Sequence, residues 1–286
     1  MKQLPLKGLK IVTVALNVPG PVAASRLMQL GADITKVEPP DGDPLKSGAR
    51  AWYESLSAGQ EVVTLDLKSP EGQAKMAAIL ANADLFLASF RPSALRRLRL
   101  DWETLHGLYP KLCMVNIIGF PPPDEEISGH DLTYQASLGL LDPPNLPVTL
   151  HADLAGSERA VGAALALLLD RCRYGHSGST YVSLYEAIRD FTGPLTAGLT
   201  AKDGRLRGGF PFYAIYQAND GWIALGALEP SFIRRLREEL HLTEDVRGDL
   251  ARIFLTRSRF EWEAWAQEHD IPLVAVQSAA THSNEA

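Results

Sequence analysis

Four residues in this sequence pair a reactive or anion-binding side chain with a place at the edge of an expected element. His130, in Gly129-His130-Asp131, follows the Pro121-Pro122-Pro123 loop and precedes an apolar-periodic stretch. Element edges of this kind often line clefts, and His is the side chain best suited to moving protons near neutral pH. A plain cap or packing role at the helix start suits the same position. Asp153, in His151-Ala152-Asp153-Leu154-Ala155-Gly156, opens a long helical pattern. It reads as an N-cap, and the same place would let a substrate oxyanion meet free N–H donors and the positive helix end. Glu229-Pro230 lies between a strand end and a helix, where a carboxylate is favoured by the helix dipole or is open to catalysis. Arg91 differs from its neighbours Arg96, Arg97 and Arg99, which read as a solvated face. It precedes Pro92 at the end of an expected parallel strand, the edge where open α/β sheets bind ligands, and its guanidinium suits a phosphate.

The elements that must position these residues alternate between strand and helix. Apolar β-rich runs predict strands at Lys10–Leu16, Asp33–Val37, Val62–Leu67, Asp84–Ala88 and Leu112–Ile117. A helix is predicted over Val22–Leu30, stopped by Gly31, and another after Ser69-Pro70, a cap followed by a proline at the first helical position. That alternation predicts a doubly wound, Rossmann-like parallel sheet. Two further helices are expected at Asp131–Leu141 and Leu154–Arg173, the second central and buried. Beyond Gly204, strands at Phe212–Gln217 and Trp222–Leu225 flank Asn219-Asp220-Gly221, a hairpin signal, and helices follow at Ser231–Leu240 and Arg259–His269. The expected layout is a large α/β domain over 1–203 and a smaller α+β domain over 204–286, with fraying after Val276.

Composition narrows the function classes. With 46% hydrophobic and 22% charged residues, the chain is of ordinary globular type. A net charge of −6 argues against general nucleic-acid binding, which needs an excess of Lys and Arg, though a local basic patch still permits a phosphorylated ligand. Cys113 and Cys172 sit in apolar runs without CxxC spacing and read as buried thiols, so no zinc site or disulfide framework is expected. No run reaches the length of a membrane span and the first residues do not read as a signal peptide, so a cytoplasmic protein is expected. No GxGxxG or P-loop motif supports a dinucleotide or nucleoside triphosphate site.

Several blocks, in order, resemble one family. LKGLKIVTVALNVPGPVAASRLMQLGADITKVEPPDGDPLK is similar to the opening of the family III CoA-transferases and alpha-methylacyl-CoA racemases. VVTLDLKSPEG, ADLFLASFRPSAL and YPKLCMVNIIGF resemble its following blocks, and PFYAIYQANDGWIALGALEPSF resembles the small-domain hairpin of the racemases. The resemblance implies an acyl-CoA thioester substrate, with CoA as part of the substrate and no separate cofactor, and an intertwined homodimer. GHD resembles the racemase motif whose His transfers a proton, here His130; ADLAG resembles the block of the catalytic Asp, here Asp153. LEP resembles the block whose Glu partners the His, here Glu229, and FRP the segment whose Arg contacts CoA phosphates, here Arg91. Gly20 of the PGP turn and Lys46 of the GDPLK run are likewise assigned to CoA binding.

The reaction implied is racemisation at the carbon alpha to the thioester: one group removes the weakly acidic proton and another returns it on the opposite face of the enolate. A transferase would instead use Asp153 as nucleophile, and a non-catalytic CoA-ester binder is the third reading. The departures concern CoA. A GQ-x-GP-like loop is replaced by Pro121–Glu126, an NR-x-KR-like basic run by Leu56-Ser57-Ala58-Gly59-Gln60-Glu61, and the Arg that commonly follows KVE by Pro39. Two of these changes remove positive charge, and the chain ends where family members are expected to return to the large domain.

Overall fold

A computed structural model describes residues 4–277 of the chain; the expected fraying after Val276 falls, from residue 278 on, outside the described residues. The elements run β1 (Lys10–Thr13), α1 (Pro19–Gln29), β2 (Asp33–Glu38), α2 (Pro44–Gly48), α3 (Arg50–Ser57), β3 (Glu61–Thr64), α4 (Pro70–Leu80) and β4 (Leu85–Ala88). They continue with α5 (Pro92–Leu98), α6 (Trp102–Leu108), β5 (Cys113–Ile118), α7 (Asp131–Ser137), α8 (His151–Tyr174), β6 (Ser179–Ser183) and α9 (Leu184–Arg189). The remainder comprises α10 (Gly193–Thr196), β7 (Tyr213–Ala218), β8 (Gly221–Gly226), α11 (Pro230–Glu239), α12 (Val246–Phe254), α13 (Arg259–Glu268) and β9 (Leu273–Ala275). The chain divides into two compact units after Thr192.

The first unit is the expected doubly wound sheet, with strand order β3-β2-β1-β4-β5-β6 and parallel pairing throughout. Strand alternation sorts the side chains to two cores. Ile11, Leu85, Leu87, Val115 and Ile117 meet α1 and α8 residues such as Ala24, Leu27, Ala160 and Ala164. Val12, Phe86 and Met114 point the other way, toward Met76 and Leu80 of α4, Leu95 of α5 and Leu105 of α6. Burial on both faces is why these strands read as continuous apolar runs. β6 escaped that reading because Ser179, Thr180 and Tyr181 at this edge are exposed. Ser69 caps α4 as expected, its Oγ accepting the Gly72 N–H at 3.0 Å with Pro70 in the first turn.

Two helix expectations change. α7 stops at Ser137 rather than Leu141, because Gly139 takes φ +69° and closes the helix: the Gly139 N–H donates to the Ala136 carbonyl and the Leu140 N–H to that of Gln135. α8 begins at His151 and is not buried all round. Its core contacts follow one stripe, Ala152, Gly156, Ala160, Ala164 and Leu168, while Leu169 is 51% exposed. Small residues on that stripe let α8 lie close to the sheet and α1. Cys113 is buried as expected, but Cys172, on the outer side of α8, is exposed.

The second unit has its own core, with antiparallel β7-β8-β9 packed on α11, α12 and α13 through Tyr216, Ile223, Leu225, Leu236, Phe254 and Trp262. The hairpin turns through Asn219-Asp220, with Ala218 paired to Gly221.

A buried ionic cluster lies beside β2. The Lys36 ammonium, with a 1% exposed side chain, meets Asp43 Oδ2 at 2.7 Å and Glu38 Oε1 at 2.9 Å. Tyr53 donates its hydroxyl to Glu38 Oε1 at 2.8 Å, and Asp43 Oδ1 accepts the N–H groups of Asn17 and Leu45, each at 2.9 Å. Lys36→Met removes the cation and leaves two buried carboxylates; the expected cost is about 3–5 kcal/mol, measured by chemical denaturation. A loss under 1 kcal/mol would show that the cluster is dispensable for folding.

Candidate functional site

The reversal of strand order on either side of β1 creates a crevice at the carboxyl ends of the strands, the place where such sheets take ligands. A cavity of about 180 Å³ occupies that edge. Leu16 and Asn17 enter it from the end of β1, Ser89 and Arg91 from the end of β4, and Ile118 and Gly119 from the end of β5. His130 and Tyr134 close it from α7 and Asp153 from α8. The structure thus brings three of the expected residues, Arg91, His130 and Asp153, to one cleft. Another cavity, of about 200 Å³, sits among α4, α5 and α6, but no carboxylate or imidazole lines it.

His130 stands at the N-cap of α7, its N–H donating to the Thr133 hydroxyl at 3.0 Å. Capping and cleft lining coexist at this residue. Gly129 and Gly119 are small for a packing reason, since a Cβ would run into the Tyr134 ring at Gly129 and into the Tyr134 hydroxyl at Gly119. Arg91 precedes α5 and donates Nη2–H to Ser128 Oγ at 2.7 Å.

Asp153 is not the N-cap expected of it. The cap position is Leu150, which has no capping side chain, and Asp153 lies in the first turn. The capping group comes from another helix. Asp131 Oδ1 accepts the Ala152 N–H at 2.7 Å and the Asp153 N–H at 3.1 Å, while Oδ2 accepts from Gln135 Nε2 at 2.6 Å. Those two N–H groups are therefore committed to a buried carboxylate, which corrects the expectation that they would face a substrate oxyanion. Burial, and then the Asp131 charge, push the Asp153 carboxyl up to about 7. Burial first, and the Asp153 charge second, push the Tyr134 phenol up to about 12.

The remaining expected residues lie elsewhere. Gly20 and Lys46 are outside the cleft lining. Gly20 is buried where a Cβ would collide with Ala15, so close packing of α1 against the end of β1 requires it. Lys46 is exposed on α2 with its ammonium 5.6 Å from the Tyr53 ring centre. Glu229 is the exposed N-cap residue of α11 in the second unit, ahead of Pro230. Asp131, Glu125 and Asn17 were not singled out from sequence. The lack of a capping side chain at Leu150 was the one available signal for Asp131. Among the described residues no cluster of His, Cys, Asp and Glu could hold a metal ion, and no helix is long and apolar enough to cross a membrane.

This sheet, with a cleft at its switch point, matches a known class. The model of CoA-transferase family III matches residues 6–286, and the chain belongs to that family. Relatives include both racemases and CoA-transferases. Human alpha-methylacyl-CoA racemase is 29% identical over 301 residues, covering 90% of this chain and 74% of that enzyme. The succinyl-CoA–D-citramalate CoA-transferase of Chloroflexus aurantiacus is 28% identical over 261 residues, covering 82% of this chain and 65% of that enzyme, so the chain spans less than two thirds of its length. Among solved structures, Rv3272 from Mycobacterium tuberculosis superposes with a TM-score of 0.86 at 22% identity, covering 99% of this chain and 85% of that one. A CaiB/BaiF family protein from Brucella suis gives 0.81, also at 22% identity, covering 98% and 85%.

The raised Asp153 carboxyl has a consequence for stability. The folded state holds this proton up to about pH 7, whereas the unfolded chain releases it near 3.8. Folded protein binds more protons between those values, so Asp153 lowers stability progressively as pH rises through that window. Asp153→Asn should leave stability unchanged at pH 3.5 and raise it at pH 8 by an amount on the order of 4 kcal/mol, read from denaturant midpoints. An equal effect at both pH values would refute the raised carboxyl.

Proposed function

We propose that this chain moves the proton on the carbon alpha to an acyl-CoA thioester, racemising that carbon through an enolate. The observation that carries the reading is an Asp153 carboxyl pushed up to about 7 in the cleft that His130 also lines. A group poised near the working pH both accepts and returns a proton, which is what each end of a two-base exchange must do. In one direction His130 takes the alpha proton and Asp153, protonated, delivers its own to the opposite face. In the other direction the roles reverse, and each turnover leaves the pair primed for the reverse reaction. Arg91, at the end of β4, holds the CoA phosphates in this reading.

A transferase would use Asp153 as an attacking carboxylate, and that role favours a carboxyl that is ionised at neutral pH. Identity to relatives of the two kinds is nearly equal, so it favours neither. The test is deuterium uptake at the alpha carbon in D₂O, followed alongside chiral chromatography. Each of His130→Ala and Asp153→Ala should lose racemisation by about 10²–10⁴-fold, yet each should retain exchange from the enantiomer that the other residue deprotonates. Asp153→Ala that abolishes acyl-CoA exchange with an acceptor acid, with no deuterium uptake in any form of the protein, would establish the transferase instead.

The ligand side has its own test. Arg91→Ala should weaken CoA-ester binding by about 1.5–3 kcal/mol, measured by calorimetry, with the unfolding midpoint preserved. Equal affinity in wild type and variant removes Arg91 from the site.

A further inference from the structure

Glu125 lines the same cavity as His130 and Asp153, yet neither the proton transfer nor the CoA contact uses it. It belongs to the Pro121–Glu126 stretch, where the sequence departs from the family it resembles. The loop is tied to α5 and the residue before it just after this position. Glu126 accepts hydrogen bonds from the Ser93 N–H and the Ser93 hydroxyl, each at 2.8 Å, and Ser128 receives the Arg91 bond at 2.7 Å. Backbone turns close the segment, from Asp124 N–H to the Pro121 carbonyl and from Ile127 N–H to that of Asp124, each at 2.9 Å. Glu125 is thereby held at the cleft wall by its neighbours rather than by bonds of its own.

Its carboxylate is incompletely satisfied. Oε2 is shielded from solvent and has no hydrogen-bond partner among the described residues. Buried polar atoms are nearly always paired, and leaving an acceptor without a donor is costly, more so for a charged group. The two arginines that reach this loop are committed: Arg91 donates to Ser128, and Arg96 approaches Glu126 at 3.9 Å. The terminal torsion of a Glu is broad and roughly two-fold, so rotation about it interchanges the two oxygens. A donor arriving in the cleft would complete the pairing. The cavity, about 180 Å³, is below the roughly 300–1,000 Å³ of pockets that take drug-sized molecules, which suits a short acyl group.

We propose that Glu125 reads the acyl group and selects thioesters that carry a hydrogen-bond donor, a hydroxyl or an ammonium, one carbon beyond the alpha carbon. This inference rests on the acyl-CoA reading of the cleft. A site built around a polar contact rejects the isostere lacking the donor far more strongly than an apolar pocket rejects an added group, because the protein acceptor is then left unpaired.

Three near-isosteric probes separate the possibilities: 2-methylbutanoyl-CoA, 3-hydroxy-2-methylpropanoyl-CoA and 3-amino-2-methylpropanoyl-CoA present a methyl, a hydroxyl and an ammonium at one position. Calorimetry on the wild type should give at least tenfold tighter binding of one or both donor-bearing thioesters than of the methyl compound. Glu125→Leu should reduce that preference to less than threefold. Glu125→Gln, which keeps an acceptor but no charge, should retain preference for the hydroxyl and lose it for the ammonium, so the two variants also identify the donor. Equal binding of all three probes to the wild type, binding of none, or a preference that persists in Glu125→Leu overturns the proposal. Deuterium uptake is followed on the same samples. Binding preference without uptake defeats the racemase reading and leaves Glu125 as the selector; uptake without preference does the reverse.

Discussion

The site depends on one buried carboxylate. Asp131 is the first residue of α7, yet its side chain reaches the start of α8 and occupies the N–H groups of Ala152 and Asp153. The first four N–H groups of a helix lack intrahelical partners, and Leu150 supplies none from its side chain. Without Asp131, the Ala152 and Asp153 N–H groups at the start of a 24-residue helix would lose their acceptor. With it, α7 and α8 are locked together at their N-termini, so His130 and Asp153 are held by one bond set. The same charge raises the Asp153 carboxyl beyond what burial alone would do. Structure and chemistry meet here: the carboxylate that fixes the helix also adds to the burial that raises its neighbour's carboxyl.

A second buried charge group holds the opposite wall. Asp43 takes the Asn17 N–H in the loop where β1 gives way to α1, and Lys36 holds Asp43 in turn. Asn17 adopts φ +65°, a left-handed backbone that Asn tolerates better than most residues. Desolvating Lys36, Glu38 and Asp43 is unfavourable in itself, and their mutual pairing offsets that cost. What the cluster secures is the position of the first loop at the switch point. Both walls of the cleft are thus fixed by carboxylates accepting backbone N–H groups across long sequence separations.

That physical basis explains what could be read from the sequence. Strands β1, β2, β4 and β5 were legible because burial on both faces leaves apolar runs, and β6 was not because half of it faces water. His130, Asp153 and Arg91 were legible through motif resemblance and because strand ends and helix starts in a parallel sheet gather on one edge. Asp131 stood inside the same GHD motif but its role was hidden, since a cap supplied from another helix 21 residues away leaves no local spacing signal. The first turn of α8 was misread for that reason: an Asp near a helix start suggests a self-supplied cap, and only the fold reveals that the cap comes from α7. Glu125 was noticed only as a departure, because a loop with three prolines and three acidic residues reads as solvent-exposed until its place at the cleft wall is known.

The commitment of the α8 donors also constrains how an enolate would be stabilised here. An oxyanion is usually met by free N–H groups, and the start of α8 would have been a ready source. Asp131 has taken two of them, and at the start of α1 two of the first three residues, Pro19 and Pro21, have no N–H to offer. Backbone donors at these two helix starts are therefore scarce, and Asp131 places a negative charge beneath the cleft. In the proposed reaction, negative charge on the enolate is best limited by protons already present on side chains. A carboxyl at about 7 holds a proton in roughly half of the molecules at neutral pH, whereas one at 3.8 would hold almost none. The charge that denies the enolate two helix donors also adds to the burial that raises the Asp153 carboxyl. Proton delivery and charge neutralisation would then fall to a single group, and the repulsion between two carboxyls becomes part of the chemistry rather than a defect of the fold.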